Sequence, residues 1–494
     1  MSLSYFCAWG IVILLGSGLA ALGMGLPRRL LDLASVFGSG AIIGMLTTAV
    51  VVGLVRPDAA REVYARLGWW LLIGAIAAWA MAFRLDRRRA APMPSADRPN
   101  DRPTPAQRMF WWALLALTVL QMLPLLDEVL LRPVFPWDAW SAWMAKPKAW
   151  YLGGHFDRFV DAGTWLADRG NALRTIPSWY YPELGGWLQL WFASAAGAWN
   201  EPLLLLPWFV VYAGFLLAFH AQCRYLKIDA CAALAATFAF ASMPLVDAHV
   251  ALAGYADLWI ATVLGLVAAL WLRWRAHRSM RLFGLMVLLA LTLPLLKREG
   301  SIWLAGIAAL IVLGESPPRW RRAVLVVCGA AIALAVLLVG IGLPWPGGNR
   351  QQVPLDSFLV SGLGQFDLAW RPQGLELVAA VFIEGNWHLL GFALLAGLAL
   401  RRHRLREDAD ARLLGLFLLG GWCFLIGLFC FTPAAQWAEH NTAANRLLMH
   451  LVPCCVLFLA LLWRRLPDAA TPPTNEPASL PDRRARNSRS ATPT

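Results

Sequence analysis

The chain has 494 residues, of which 59% are hydrophobic and only 15% charged, with a mean hydropathy of +0.56. A soluble chain of this length carries roughly a quarter charged residues, so the composition excludes an ordinary water-soluble globule. The formal charge of +13 invites a nucleic-acid reading, which its placement excludes. Basic clusters at 28–29, 84–89, 273–281, 319–322, 401–406 and 464–465 each adjoin the end of an apolar run, the positive-inside pattern of membrane insertion.

The first apolar run, residues 5–26, is long enough to cross about 30 Å of hydrocarbon. It has no basic segment before it and exceeds the apolar core of a secretory signal, so it is expected to remain as a helix. Runs at 36–55 and 67–83 complete an N-terminal three-helix unit, residues 1–83. The polar, proline-containing, basic stretch 84–108 reads as a cytoplasmic linker. A fourth helix near 109–126 then carries the chain to the outer face, where a long connection, 127–186, begins.

That connection holds tryptophans at 137, 140, 143 and 150, spaced nearly as a helix would space them. An interfacial helix uses rings in this way at headgroup depth. Asp138, Ser141, Ala145 and Lys148 fall on another face, with Pro147 a potential break before Lys148. Asp138 reads equally as a helix N-cap or as a carboxylate serving a sugar or a lipid phosphate. Tyr180-Tyr181-Pro182-Glu183 follows, and then a short apolar stretch, 187–198. If that stretch crossed the membrane, every later basic loop would change sides, so it is expected to be juxtamembrane or re-entrant.

Further spans are expected near 202–220, 228–247, 254–272, 282–297, 301–314, 323–343, 375–400, 413–431 and 446–463. Backbone groups in lipid must be satisfied within each segment. The predicted fold is therefore all-α: a polytopic membrane helical bundle of about 13 transmembrane helices, with outer-face loops containing interfacial helices. Asp247, His249 and Asp257 lie around an outer turn. A carboxylate at a span boundary is a functional candidate by default, although Asp257 also suits a helix N-terminus. Lys297-Arg298-Glu299 puts two cations on the outer side, against the positive-inside rule, as a phosphate or diphosphate site would. Arg446 is another outer cation, either meeting the same anion or capping its loop, and the span it enters contains His450. The eight cysteines lie in or beside apolar runs without metal spacing and read as small apolar residues. The Pro-, Ser- and Arg-rich tail, 466–494, is expected to be disordered and cytoplasmic.

Four of these stations, in order, resemble the C-type superfamily of membrane glycosyltransferases, which use polyprenyl-phosphate sugars and include protein mannosyltransferases and aminoarabinose transferases. They are Trp137-Asp138-Ala139-Trp140 with Lys148-Ala149, Tyr181-Pro182-Glu183-Leu184, Gly254-Tyr255-Ala256-Asp257, and Lys297-Arg298-Glu299-Gly300. The resemblance covers about residues 109–465. It implies Asp138 and Asp257 as catalytic carboxylates, Asp138 serving as general base or as a group holding acceptor or metal. It implies donor-phosphate binding by Lys148, Lys297, Arg298 and Arg446, with Trp137, Trp140, Tyr181, Glu183, Asp247 and His249 toward sugar or acceptor. A divalent cation, Mg or Mn, is a candidate cofactor if Asp138 and a second carboxylate converge. The implied partners are a polyprenyl-phosphate sugar, the lipid bilayer and a glycan, lipid or protein acceptor, with no nucleic acid. The implied location is a bacterial inner membrane. Two features depart from the family: the loop aspartate follows the fourth helix rather than the first, and Tyr181-Pro182-Glu183 has one proline where many relatives have two. The alternatives are a polysaccharide ligase or polymerase and, from another class, a transporter.

Overall fold

A computed structural model describes residues 2–87, 104–168, 170, 173–317, 357–360, 364–367, 370–371, 376–439 and 443–464. It opens with α1 (Leu3–Met24), α2 (Leu30–Val55) and α3 (Val63–Arg87), then α4 (Pro105–Leu131). The connection after α4 holds a π-helical turn (Ala139–Trp143), α5 (Ala145–Gly153), α6 (Ala162–Ala167) and α7 (Leu184–Ala196). Two-residue strands β1 (Arg158–Phe159) and β2 (Leu173–Arg174) pair in parallel beside them. Next come α8 (Glu201–Tyr225), α9 (Ala230–Ala241), α10 (Pro244–Ala251), α11 (Asp257–His277), α12 (Met280–Leu296) and α13 (Gly300–Glu315). An antiparallel pair, β3 (Ser357–Val360) and β4 (Gly364–Asp367), precedes α14 (Glu376–Phe382), α15 (Leu390–Arg401), α16 (Arg404–Glu407), α17 (Ala409–Phe431), α18 (Ala435–Glu439) and α19 (Ala444–Leu462).

The protein is an all-α, multi-pass integral membrane bundle. Among the described residues eight helices are long and apolar enough to cross a membrane, and the bent pair α9–α10 supplies a ninth crossing if it is one span. Three shorter apolar helices, α12, α13 and α15, coincide with further expected spans. The span expected at 323–343, most of the connection after it and the tail from residue 465 lie outside the described residues, as does most of the 84–108 linker.

Several expected boundaries change for local reasons. The run 228–247 is two helices meeting at 61°. Pro244 has no N–H to continue the helix and drives Met243 into an extended conformation (φ −68°, ψ 124°). The run 375–400 is also broken, because Glu384 and Asn386 make a polar turn between α14 and α15. α4 runs five residues beyond its expected end, so Asp127 and Glu128 are helical and the outer connection begins at Arg132. Pro147 does not break a helix. It sits in the first turn of α5, where a missing N–H costs nothing.

α11 and α19 are buried along nearly their whole length, whereas α4 leaves most of its surface outward. α11 packs against α8, α12 and α19, and the N-terminal unit packs into the core through α2 on α8 and α7. The seven cysteines among the described residues are all free and helical, as expected of small apolar residues. α11 rises about 30 Å from Asp257 to its last turn, so Asp257 and Arg275 mark opposite ends of the bundle.

Candidate active site

Asp138 leads into the π-helical turn, but its carboxylate caps no backbone N–H. Its Oδ2 instead accepts from Arg446 Nη1 at 2.6 Å, an ion pair across 308 residues of sequence. Arg446 lies in the first turn of α19, and its guanidinium carbon stands 4.9 Å from the centre of the Tyr255 ring. The backbone that makes this meeting possible is at Gly254. Its φ of +126° is closed to most side chains, and a Cβ there would collide with that of Ala139. The Trp-Asp-Ala-Trp motif and the Gly-Tyr-Ala-Asp motif therefore touch through their two smallest residues.

Three residues beyond Gly254, Asp257 begins α11 and is fully buried. Its Oδ1 accepts from Lys297 Nζ at 2.8 Å and from His450 Nε2 at 3.0 Å. The histidine tautomer follows from the network. Trp303 can only donate, and its Nε1 lies 2.9 Å from His450 Nδ1, so the imidazole proton is on Nε2 and points at the carboxylate. Lys297, between α12 and α13, also pairs with Glu299 Oε1 at 3.2 Å. A buried charge is tolerated when paired and hydrogen-bonded, and Asp257 with Lys297 meets that condition. Asp257 Oδ2, however, has no partner among the described residues, and neither has His249 Nε2. Both atoms are buried acceptors, since His249 Nδ1 donates to the Leu245 carbonyl (2.8 Å).

The flanking loop supplies the remaining parts. Arg298 donates to the Tyr180 carbonyl (3.3 Å) and lies 4.1 Å from that ring's centre. Tyr181 packs on Trp143, and its carbonyl accepts from Lys146 Nζ at 3.1 Å. Lys146 also pairs with Glu183 Oε1 at 3.0 Å. Burial raises the Tyr181 and Tyr255 phenols above their ordinary range, against the pull of Lys297 and Arg446 respectively, so both stay protonated hydroxyls. Trp137 and Trp140 form an outward edge-to-face pair, with Trp137 69% exposed. Trp150 turns inward and stacks on Trp187, so only part of the expected tryptophan belt faces out.

The structure thus gathers Asp138, Asp257, Lys297, Arg446, Tyr255 and His249, with Arg298, Tyr181 and Glu183 alongside. Two sequence-expected residues lie apart. Lys148 pairs with Glu201 Oε1 at 2.8 Å on the exposed face of α5. Asp247 is roughly 200° around α10 from His249, and accepts from Gln121 of α4. Asp257, expected to be catalytic, is fully buried and holds Lys297 and His450 on its Oδ1. Sequence reading gave no role to Lys146, Trp303 or the His450 it noted. The signals were present: Lys146 precedes Trp150 by four residues, and His450 follows Arg446 by four, each pair sharing a helix face. No three His, Cys, Asp or Glu side chains among the described residues form a metal-binding group. Asp138 and Asp257 each already hold a cationic side chain, so these residues do not fit a resident Mg or Mn.

Fold and site together define a multi-pass helical membrane protein with a charged, partly buried site at one end. The sequence matches no protein-family model, and no curated protein or solved structure matches it either.

Proposed function

We propose that this protein is a membrane glycosyltransferase. It moves a sugar from a polyprenyl-phosphate donor to an acceptor hydroxyl at the loop-bearing end of the bundle, the periplasmic face of a bacterial inner membrane. The observation that carries the reading is the Asp138–Arg446 ion pair. It joins a carboxylate suited to take a proton to a guanidinium suited to bind phosphate, beside Tyr255 and the Lys297–Asp257 pair.

A donor phosphate reaching Arg446 competes with Asp138 for the guanidinium and so releases the carboxylate. The acceptor oxygen attacks the anomeric carbon, and its proton passes to Asp138. The bond from that carbon to the phosphate oxygen breaks, and the lipid phosphate leaves with the electron pair. Arg446, Arg298 and Lys297 meet the charge that develops, fixed in place beforehand by their stacking and pairing. The outward Trp137–Trp140 pair offers a flat surface to a sugar ring or to headgroups.

The test compares wild type with Asp138→Asn in nanodiscs, with polyprenyl-phosphate sugars and membrane lipid extracts as substrates and mass spectrometry as the readout. A positioned base contributes about 10²–10⁴-fold, and a loss of that size at unchanged thermal midpoint is expected. Unchanged turnover in the variant removes Asp138 from the chemistry.

One observation favours a transporter as second reading. The two broken apolar stretches meet: His388 Nε2 donates to the Ser242 carbonyl (2.6 Å), and Leu245 N–H to the Asn386 carbonyl (3.4 Å). Broken helices line the sites of many transporters. Flux into vesicles with no chemical turnover selects that reading.

A further inference from the structure

The resemblance assigns no part to the first three helices, yet the turn joining α2 to α3 is built into the loop that carries the site. α5 ends with carbonyls that its own helix cannot satisfy. Arg61 supplies donors to two of them, Nε to the Tyr151 carbonyl at 2.8 Å and Nη2 to that of Leu152. The Ala60 N–H donates to the next free carbonyl, Gly154, at 3.0 Å. The same turn is tied to α7, because Ser194 Oγ donates to the Arg61 carbonyl (2.7 Å) and accepts from the Tyr64 N–H (3.0 Å). These contacts span 90 to 133 residues of sequence.

Arg56 engages the other side of the loop. It follows α2 with φ +41°, lies 5.0 Å from the Trp187 ring centre and 3.6 Å from Glu183 Oε2. Glu183 therefore stands between two cations, with Lys146 on Oε1 and Arg56 beside Oε2. α2 comes this close because of Gly53, where a Cβ would stand 2.9 Å from Trp187 Cδ1. Trp187 stacks on Trp150 at 4.4 Å and 13°, and Lys146 is one helical turn before Trp150 on α5. The α2–α3 turn thus reaches Lys146 by two chains of contacts, through the C-terminus of α5 and through the Glu183–Trp187 corner.

We propose that the α2–α3 turn is a clamp, and that Arg61 and Arg56 are positioning residues which hold Lys146 at the site. The N-terminal unit is then part of the working protein rather than an appendage. What Lys146 acts upon, the donor phosphate, rests on the transferase reading; the clamp itself does not.

The full chain in nanodiscs is compared as wild type, Arg61→Ala, Arg61→Lys and Arg56→Gln, by hydrogen exchange and by transfer kinetics. In Arg61→Ala, amides over residues 145–154 are expected to exchange about tenfold faster or more, while those of α11 stay protected. Apparent donor KM is expected to rise by about tenfold with a smaller fall in kcat, and Arg61→Lys to restore part of both effects. Arg56 is exposed, so Arg56→Gln keeps the fold and serves if Arg61→Ala does not accumulate; it is expected to loosen residues 180–187. Unchanged exchange over 145–154 in Arg61→Ala, or an equal rise in α11, overturns the clamp. Faster exchange at 145–154 in a protein that transfers no sugar even as wild type upholds the clamp and removes the transferase reading.

Discussion

At the end of the bundle away from the site, Arg464 grips Asp408 with two bonds of 2.6 Å and reaches Asp410 at 2.9 Å. Arg275 joins Asp410 to Glu315, and Arg278 completes Glu315. Both oxygens of Asp408, of Asp410 and of Glu315 are occupied, and Asp408 also caps α17. At the site end, Lys297 and His450 crowd onto one oxygen of Asp257, and among the described residues the other oxygen has no partner, nor has His249 Nε2. Native structures rarely leave a buried polar atom unmatched, and those that do commonly await a water or a ligand. The first cluster is a closed knot tying α11, α13, α17 and α19 together. The second leaves two buried acceptors unmatched among the described residues.

The largest effect on stability is therefore expected away from the site. Arg464→Ala leaves Asp408 buried with its main cation gone, and loss of one partner of a buried pair costs about 3–5 kcal/mol. The thermal midpoint in detergent should fall steeply, while the specific turnover of the molecules that remain folded stays near wild type. A midpoint unmoved by this change would mean that the knot holds nothing, and the contrast between the ends would fail.

Gly254→Val should act at the site end by geometry alone. Valine at φ +126° is strained and its Cβ meets Ala139, which together cost about 2–3 kcal/mol. The displaced Ala139 carries Asp138 with it, so transfer should be lost even where the protein still folds. Transfer that survives in the folded fraction would show that the Asp138 turn tolerates displacement.

Trp303→Phe is the milder probe. It removes the donor to His450 Nδ1 and leaves a buried acceptor unmatched, at about 1–3 kcal/mol. The Asp257 carboxylate can only accept and still holds the imidazole proton on Nε2. Nitrogen chemical shifts of the labelled imidazole report the tautomer directly. A lowered thermal midpoint with the proton still on Nε2 is expected. A proton moved to Nδ1 would show that the indole, and not Asp257, sets the tautomer.

How legible all this was in the sequence differs between fold and site, for physical reasons. A span announces itself by an apolar run, so the helices from α1 to α19 follow the hydropathy closely where they are straight. They depart where one residue acts locally, as Pro244 does in bending α9 into α10. The order of the charged stations along the chain was also readable, but their pairing was not. Nothing in the residues 138 and 446, or 257 and 450, says that they meet, because the second contact is made by the packing of α11 against α19 and the first by the close approach of Ala139 to Gly254. The two lysines of α5 fell in between: Lys148 belonged to the resembling motif and Lys146 did not, although the helical phase of Trp150 favours Lys146.

Those two lysines give the smallest effect and the sharpest comparison. The Lys146 side chain is 6% exposed and shares Glu183 with Arg56, whereas that of Lys148 is 46% exposed in its pair with Glu201. An exposed ion pair contributes about 0.2–1 kcal/mol and is screened by salt, so Lys148→Met should barely move the thermal midpoint and should leave donor KM within about twofold of wild type. Lys146→Met keeps the length of the side chain while removing a buried cation, and should raise donor KM at least tenfold if that cation serves the site. Equally small effects from the two variants would place the phosphate contact on neither lysine. It would then fall to Arg298, Lys297 and Arg446, the cations held by α12, the turn after it and α19.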